Sequence, residues 1–415
     1  MSTLKKKSLK HLMRKFLHFL AVVGLVIAGI IAVVSLFAFV FLKTWKPFGG
    51  KASKTDRKNY AERAENFDGK KFHNIEEFSV MSMEKNPAPD PLTFSKKTPR
   101  PDFDFPSKMP DFMSQEDKNN RLSVKQFRVT WFGHSSLLLQ MHGLNILIDP
   151  VFSEMISPVS FVGSKRFSKP PVSVADMPEI DILLQSNDHY DHLDYDVIRE
   201  IDKKVKKYIV PLGVENHLER WGVKSSKITN MAWWEEIDVD GLMIACTPAQ
   251  HFSGRHLTDN MATLWCSWVL KDEFYQIFES GDSGFGSHWQ KIHDKYGDFD
   301  FAMMECGQYD VQWPRVHSFP EQSVEAARIL GAKIAMPIHW GAIILSRHGW
   351  DDPVERFLLA AEKEEITVMT PYIGQTANIE TPMLFTERWW RRNALSLMRY
   401  GAGLQIMTIQ QAKIY

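Results

Sequence analysis

The stretch Asn187-Asp188-His189-Tyr190-Asp191-His192 decides how this chain is interpreted. It closely follows the apolar run Ile182-Leu183-Leu184, which predicts a buried strand. His189, Asp191 and His192 are of residue types that bind transition metals through imidazole nitrogen and carboxylate oxygen. The segment therefore predicts a metal site at the end of a buried strand.

Four other fragments each place a His or an Asp close to the end of an apolar strand. They are Trp131-Phe132-Gly133-His134-Ser135-Ser136, Pro248-Ala249-Gln250-His251, Gly281-Asp282-Ser283-Gly284 and Pro337-Ile338-His339-Trp340-Gly341. Alone, such a His is more often a core or surface residue, and such an Asp more often caps a turn. Together with residues 187–192, the set favours several strand ends that deliver ligands to one edge of a sheet.

In the order and spacing of these motifs, residues from about 126 to 375 resemble the metallo-β-lactamase superfamily. Within it they are most similar to N-acylphosphatidylethanolamine-hydrolysing phospholipase D and its bacterial relatives. The shared stretches are Trp-Phe-Gly-His-Ser-Ser, Asp-His-Tyr-Asp-His-Leu-Asp, Pro-Ala-Gln-His-Phe-Ser, Gly-Asp-Ser-Gly-Phe and Pro-Ile-His-Trp-Gly. The resemblance implies an α/β fold, an αββα sandwich with two zinc ions at one edge.

The resemblance also implies a role for individual residues. The first metal would take Asn187, His189 and His251, and the second would take Asp191, His192 and His339. Asp282 would bridge the two metals, and Asp191 and Asp282 are the predicted catalytic residues. His317 matches a position that contacts substrate, although an exposed loop His is an equal alternative. His134 is expected to support a ligand, and His348 is expected at the surface.

Asn187 departs from the family pattern, which has a ligating His at this position. An amide oxygen is a poorer ligand for Zn²⁺ than an imidazole. We therefore expect a weakened first metal, or its replacement by Mn²⁺ or Fe²⁺, and reduced activity. Asp188 would need a change of backbone direction to reach the site, because adjacent side chains diverge.

The N-terminus predicts a membrane anchor. Residues 19–42 form an unbroken run of apolar, Gly, Ala and Ser residues, long enough to cross a bilayer as a helix. The run is longer than the apolar core of a cleavable signal peptide. A basic segment, residues 1–18, precedes it, and this arrangement weakly favours the N-terminus inside and the enzyme outside.

The rest of the chain divides by composition. Residues 43–125 are polar and rich in Lys, Asp and Pro, and they predict an extended linker or strap over the main domain. Residues 126–385 form the predicted hydrolase domain, with strands first and then strands alternating with helices. One helix is predicted to be capped at Ser318 and to stop at Gly331, and another to open at Asp352-Pro353. The basic and Trp-rich residues 386–415 predict a helix that packs on the domain, lies at the membrane interface or binds a partner protein.

Bulk composition gives no indication of nucleic-acid binding or of a disulfide framework. The 415 residues carry a formal net charge of +0, and neither a basic stripe nor a zinc-finger spacing predicts nucleic-acid binding. The three cysteines are far apart and predict small buried side chains, not a disulfide framework. The oligomeric state stays open, with a homodimer as one option.

Three hypotheses follow from the sequence. The main one is a membrane-anchored, metal-dependent phosphodiesterase acting on a membrane glycerophospholipid, which serves as both substrate and anchor surface. The second is a lactonase or phosphoester hydrolase acting on a soluble metabolite. The third, motivated by Asn187, is a tethered pseudoenzyme that binds lipid or protein without turnover.

Overall fold

The computed structural model describes residues 3–82, 100–101, 103–114 and 125–391. The chain divides into two compact units, Met1–Phe48 and Gly49–Tyr415. The first unit is helix α1 (Thr3–Thr44) followed by a short 3-10 turn, Lys46–Phe48. Its part Leu9–Thr44 is long and apolar enough to cross a membrane, judged by length and composition. The predicted anchor at 19–42 lies inside this helix.

The second unit is built on two mixed sheets. Its strands are β1 (Phe127–Trp131), β2 (Leu137–Met141), β3 (Leu144–Ile148), β4 (Met155–Ile156), β5 (Ser164–Lys165), β6 (Ile180–Leu184), β7 (Val205–Pro211), β8 (Ile228–Met231), β9 (Glu236–Val239), β10 (Leu242–Thr247), β11 (Ser267–Lys271), β12 (Gln276–Glu279), β13 (Phe301–Glu305), β14 (Ile334–Ile338), β15 (Thr367–Val368) and β16 (Thr376–Asn378). One sheet has the order β16-β1-β2-β3-β6-β7-β8, and the other β15-β14-β13-β12-β11-β10-β9. Strands β4 and β5 pair separately as a small antiparallel ribbon.

Helices cover the outer faces of both sheets. They are α3 (Tyr195–Ile201), α4 (Glu215–Trp221), α5 (His288–Tyr296), α6 (Pro320–Ile329) and α7 (Asp352–Lys363), while a further helix, α2 (Lys54–Arg63), precedes the sandwich. Between the sheets, the rings of Phe127 and Phe301 lie 5.5 Å apart in the main core. A second cluster joins the first sheet to Ile198 of α3 and Leu218 of α4. The predicted αββα sandwich is confirmed.

The sequence predicted an extended segment before the sandwich, but part of this segment forms a helix, α2. Helix α2 begins with a capping box, in which the Asp56 N–H donates to Ser53 Oγ and the Ser53 N–H donates to Asp56 Oδ2. Only Tyr60 of this helix is buried. The helix was missed because it has no apolar stripe, which is the usual signal of a helix.

Two glycines let the start of this segment approach helix α4 closely. A Cβ on Gly50 would lie 1.9 Å from the main-chain oxygen of Asn216, and one on Gly49 would lie 2.0 Å from the His217 ring. Gly49 also has φ of 79°, which favours glycine. The segment is therefore packed directly on the domain.

The predicted helix starts are close to those observed. Helix α7 begins at Asp352 as expected, and Gly331 ends the preceding helix with φ of 63°. The predicted cap of α6, Ser318, is one residue early. The main-chain N–H of Phe319 donates to Gln322 Oε1, while the Ser318 hydroxyl donates to the Ser283 carbonyl.

The predicted C-terminal helix is not observed in residues 386–391, and residues 392–415 lie outside the described residues. Trp389 and Trp390 are buried in the main core. Trp390 Nε1 donates to Glu355 at 2.7 Å, and Trp389 stacks on Tyr372. The tryptophan pair therefore packs on the domain, which was one of the three alternatives predicted for this segment.

Candidate metal centre

The candidate ligands follow strands that run in the same direction. In the first sheet β3, β6 and β7 are parallel, and residues 185–192 follow β6. In the second sheet β12, β13 and β14 are parallel, and β10 has the same direction through two antiparallel pairings. Because the carboxyl ends of these strands meet at one edge, the loops that follow them converge there.

The structure brings six of the seven predicted metal ligands into two adjacent groups. One group contains His189, His251 and Asp282, and the other contains Asp191, His192 and His339 together with His134. Within each group the ligand atoms lie within 4.8 Å of one another. Such His and Asp groups fit a metal bound at each position.

Asp282 lies between the two groups. Its carboxylate oxygen Oδ2 lies 3.4 Å from His251 Nε2 and 2.9 Å from His192 Nε2. Its Oδ1 lies 3.2 Å from His339 Nδ1. One carboxylate therefore contacts residues of both groups, which is the position that a bridging ligand requires.

Surrounding groups fix the orientation of the candidate ligands. His192 Nδ1 lies 2.7 Å from Asp149 Oδ2, and His251 Nδ1 lies 2.9 Å from the carbonyl of Val316. His134 Nε2 lies 2.9 Å from Asp191 Oδ2. In His192 and His251 such partners hold the ring orientation and direct the opposite nitrogen, Nε2, toward Asp282, the predicted shared ligand.

Several buried polar atoms at the centre have no hydrogen-bond partner. Among the described residues these include His192 Nε2, His339 Nε2 and Asp282 Oδ1, of which the first lies close to Asp282 Oδ2 and the last close to His339 Nδ1 without forming a hydrogen bond. A buried polar atom without a partner is costly, and native proteins rarely leave one. The unpartnered atoms, together with the donor set, fit divalent metal ions.

At His251, His339 and Asp282 the electrostatics favour the protonation states that metals require. Burial lowers the pKa of His251 and of His339 well below the ordinary value for His, so both rings are neutral. Burial opposes ionisation of Asp282, but the charge of His192 outweighs it and holds the Asp282 pKa well below its usual value. Neutral imidazoles and an ionised carboxylate are the ligand forms. At His192 burial is outweighed by the carboxylates of Asp282, Asp191 and Asp149, which raise the pKa well above the ordinary value, so a metal would displace a proton from this ring.

Asn187 is buried and organises its own loop. Its Oδ1 accepts a hydrogen bond from the His189 N–H at 2.9 Å, and its Nδ2 donates to Ser186 Oγ at 3.2 Å. The carbonyl oxygen has a second lone pair, so this contact leaves the predicted ligand role untested. Asn187 therefore has a structural role besides any role as a ligand.

Asp188 turns away from the centre, as expected from the alternation of side chains. Its Oδ2 accepts from Thr263 Oγ1 at 2.9 Å and lies 3.2 Å from His217 Nε2. Its Oδ1 accepts from the Gly254 N–H at 2.8 Å. These hydrogen bonds, with the charge of His217 and despite burial, hold the Asp188 pKa below its usual value. Asp188 supports the loop.

His317 lies beside the candidate ligands. Its ring stacks on His339 with centroids 5.2 Å apart and meets His251 edge-on at 5.1 Å. Behind it, Glu305 Oε2 lies 3.4 Å from His317 Nδ1, and Glu305 Oε1 accepts from the Ser318 N–H at 2.7 Å. Burial raises the pKa of Glu305 to about 7.

Sequence reasoning missed several residues that build this centre. Asp149 and Glu305 stand at the ends of β3 and β13, which is the same signal that identified His251 and His339. Ser135 Oγ lies 2.9 Å from His339 Nδ1. Only Ser135 belonged to a fragment singled out from the sequence.

The expectation that His348 lies at the surface is wrong. It is 4% exposed, its Nε2 accepts from the Gln308 N–H at 2.8 Å, and its Nδ1 donates to the Gly349 carbonyl at 2.7 Å. His348 therefore holds the loop after His339 against the loop after Glu305. The cysteines agree with expectation, since all three are free and buried.

A backbone link joins two of the strand-end fragments. The N–H of His134 donates to the carbonyl of Trp340 at 2.8 Å, and the N–H of His339 donates to the carbonyl of His134 at 2.9 Å. Both His residues have positive φ, 55° and 68°. Strained backbone of this kind persists where the surroundings hold it, often at functional sites.

The fold and the two residue groups define a metal-dependent hydrolase, and this chain belongs to the metallo-β-lactamase superfamily. Residues 144–340 match the family model for the beta-lactamase superfamily domain. An uncharacterised protein of Mycobacterium tuberculosis is 40% identical over 275 residues, which cover 65% of this chain and 73% of that protein.

A relative with a stated activity is also similar. N-acyl-phosphatidylethanolamine-hydrolyzing phospholipase D 1 of Caenorhabditis elegans is 35% identical over 224 residues, which cover 51% of this chain and 63% of the relative. Among solved structures, a possible metal-dependent hydrolase from Veillonella parvula matches with a TM-score of 0.50 at 15% identity. That match covers 61% of this chain and 99% of the other, and it concerns the fold alone.

Proposed function

We propose that this protein is a membrane-anchored, zinc-dependent phosphodiesterase of the phospholipase D type. Its proposed substrates are N-acylphosphatidylethanolamine-like glycerophospholipids. The observation that carries the proposal is the position of Asp282, which contacts candidate ligands of both groups. The similarity to the Caenorhabditis elegans enzyme supports the substrate class.

His189, His251 and Asp282 would hold one zinc ion, with Asn187 as a weak further ligand. Asp191, His192 and His339 would hold the second, with Asp282 shared. Two close zinc ions lower the pKa of a water molecule and stabilise charge on the oxygens of a phosphate ester. The protein's own contribution is to orient these ligands, through Asp149 and the Val316 carbonyl, in a buried site.

His317 binds a phosphoryl oxygen of the substrate. Its position beside His251 and His339 places it next to the proposed metals, and Glu305 holds its orientation from behind. In the overall reaction, water adds to phosphorus and the bond from phosphorus to the N-acylethanolamine oxygen breaks. The products are phosphatidic acid and N-acylethanolamine, which takes up the proton.

The apolar helix α1 anchors the protein in the membrane that contains the substrate, with the N-terminus inside. Confinement to the same surface raises the local concentration of enzyme and lipid. A soluble metabolite would give no advantage to such an anchor. The length and composition of Leu9–Thr44 support this part of the proposal.

The test is hydrolysis by the full-length protein reconstituted in phosphatidylcholine vesicles that contain N-acylphosphatidylethanolamine, with zinc or manganese supplied. We expect phosphatidic acid and N-acylethanolamine as the products. Asp282→Asn should lower the rate by about a hundredfold or more, because a ligand of both proposed metals is weakened. Asp176→Asn, at an exposed carboxylate that bonds Ser173, should leave the rate unchanged.

Other outcomes would contradict the proposal. Hydrolysis of soluble lactones or phosphoesters without any hydrolysis of the lipid would indicate the soluble-metabolite enzyme. Failure to cleave any of these substrates under every metal, by both this protein and its Asn187→His variant, would indicate a binding protein without turnover.

A further inference from the structure

A basic pocket lies away from the metal edge, between the segment that follows Gly49 and the sandwich. Its volume is about 300 Å³, which is large enough for a phosphate group with a small polar head. Four cationic side chains line it: Lys51, Arg57, Lys70 and Lys71. All four residues are exposed, and they come from two stretches of the same segment.

These cations are not neutralised by the protein. In the described part of the chain, none of the four forms a salt bridge, and Lys51 Nζ meets only the Thr258 hydroxyl, at 3.4 Å. Two other cations of the same segment are paired. Lys58 lies 3.8 Å from Glu62, and Arg63 binds Glu235. Four unpaired cations around one concavity create a positive potential that attracts anions.

The acidic residues nearby are already engaged. Asp259 also lines the pocket, but its Oδ1 accepts hydrogen bonds from the main-chain N–H groups of Arg255 and His256. Asp68 lies 3.0 Å from His73 and accepts from the N–H groups of Lys70 and Lys71. Neither carboxylate forms a salt bridge with any of the four cations, so the pocket keeps a net positive lining.

The floor of the pocket is formed by residues that also support the loop of candidate metal ligands, residues 187–192. His217 and Thr263 line it, and both contact Asp188 Oδ2. The Gly50 N–H donates to His217 Nδ1 at 2.9 Å, which fixes one wall to the floor. A ligand in the pocket would contact His217 or Thr263, and these contact Asp188, the residue that precedes His189. Two residues would therefore separate the ligand from His189.

We propose that this pocket binds a phosphate-bearing anion, as a second site distinct from the metal centre. Lysine and arginine bind phosphate oxygens through charge-assisted hydrogen bonds. The same chemistry suits the headgroup phosphate of an anionic phospholipid and a free phosphate or soluble phosphoester. The proposal does not rest on the proposed function, because it concerns binding without turnover.

The test is isothermal titration calorimetry of the full-length protein in a neutral detergent. The probes are inorganic phosphate and dihexanoylphosphatidylglycerol, a short-chain anionic lipid. The pocket variant Lys51→Ala/Arg57→Ala should weaken binding by about tenfold or more, because two charge-assisted contacts are lost. The matched control Lys54→Ala/Lys58→Ala removes two charges from the same segment outside the pocket and should change affinity less than about twofold.

A second variant guards against misfolding. Lys70→Ala/Lys71→Ala removes cations from the other stretch and should give the same loss with an unchanged thermal midpoint. Tighter binding of the lipid than of phosphate, lost in both pocket variants, would identify a lipid headgroup, and equal affinities would identify a free phosphoanion. Equal binding by the pocket variants and the control, or no binding by the unmodified protein, would overturn the proposal.

Discussion

Asn74 and His251 hold each other through a reciprocal pair of hydrogen bonds. Asn74 Oδ1 accepts from the His251 N–H at 3.0 Å, and Asn74 Nδ2 donates to the His251 carbonyl at 2.7 Å. Trp265 Nε1 lies 3.1 Å from the same Asn74 oxygen. A residue in the segment before the sandwich therefore fixes the main chain of a candidate metal ligand 177 positions away in sequence.

We predict that Asn74→Ala lowers metal content and stability together. Both main-chain groups of His251 lose their partner, which costs about 2–3 kcal/mol of unfolding free energy. Metal per chain by elemental analysis and urea unfolding are the measurements. The control is Asn66→Ala, since Asn66 Nδ2 donates to the His73 carbonyl in the same segment, at 2.9 Å. Equal metal content in all three proteins would show that Asn74 does not position the ligand.

Asp149 carries the second prediction. It is fully buried, and its Oδ2 accepts from His192 Nδ1 while its Oδ1 accepts from the Ser186 N–H at 2.8 Å. In Asp149→Asn the amide NH₂ can face the His192 N–H. Because both groups are donors, the ring then loses the hydrogen bond that holds it. Metal affinity should fall by about tenfold to a hundredfold in a chelator competition. Asp181→Asn, at a largely buried carboxylate paired with Lys206 away from the candidate ligands, should keep full affinity.

Two substitutions at Asn187 distinguish its predicted role as a metal ligand from its structural role in the loop. Asn187→His restores an imidazole and should raise affinity for the first metal by about tenfold to a hundredfold. Asn187→Ala removes the acceptor for the His189 N–H and should lower affinity below that of the unmodified protein. Metal per chain at limiting zinc is the measurement. Unchanged metal content in both variants would mean that position 187 neither binds metal nor shapes the loop.

His348 should make the protein sensitive to acid. Burial lowers the pKa of His348 to about 4, below the ordinary value of 6.5. Protonation would also remove the acceptor for the Gln308 N–H. The unfolded chain therefore binds the proton more readily than the folded one. The stability from the neutral ring is complete above pH 6.5 and is lost as the pH falls toward 4, by about 2 kcal/mol between pH 7 and pH 5.

Urea unfolding of the unmodified protein and of His348→Gln at both pH values checks this prediction. The variant should lose less stability on acidification, because it cannot take up a proton at this position. His73→Gln, at a half-exposed His, serves as the control and should follow the unmodified protein. A variant that loses as much stability as the unmodified protein would rule out His348 as the source.

Local patterns were enough to predict most of the sandwich. Strands such as Leu144–Ile148 and Leu242–Thr247 are mostly apolar runs bounded by turn residues, so their bounds can be read from neighbouring residues. The one described helix that was missed before the sandwich, Lys54–Arg63, lacks this pattern and is stabilised by its cap and by Tyr60. Helices without an apolar face leave no periodic signal.

The candidate ligands followed from sequence for a related reason. His189, Asp191 and His192 are close together in the chain, and His251, Asp282 and His339 each follow a strand that the sequence predicts. Parallel strands necessarily bring their carboxyl ends to one edge. The sequence alone therefore determined that ligands of these types meet at one sheet edge, because this depends on short-range spacing and on the general geometry of sheets. The αββα fold class came from the resemblance of its motifs to the metallo-β-lactamase superfamily.

Only the tertiary structure decided what supports these ligands. Asn74 meets His251, Asp149 meets His192, and the basic pocket forms across segments that are far apart in sequence. The burial of Trp389 and His348 was also decided there. Such contacts depend on how whole elements pack. The sequence around a residue therefore does not indicate a partner that comes close only in the folded chain.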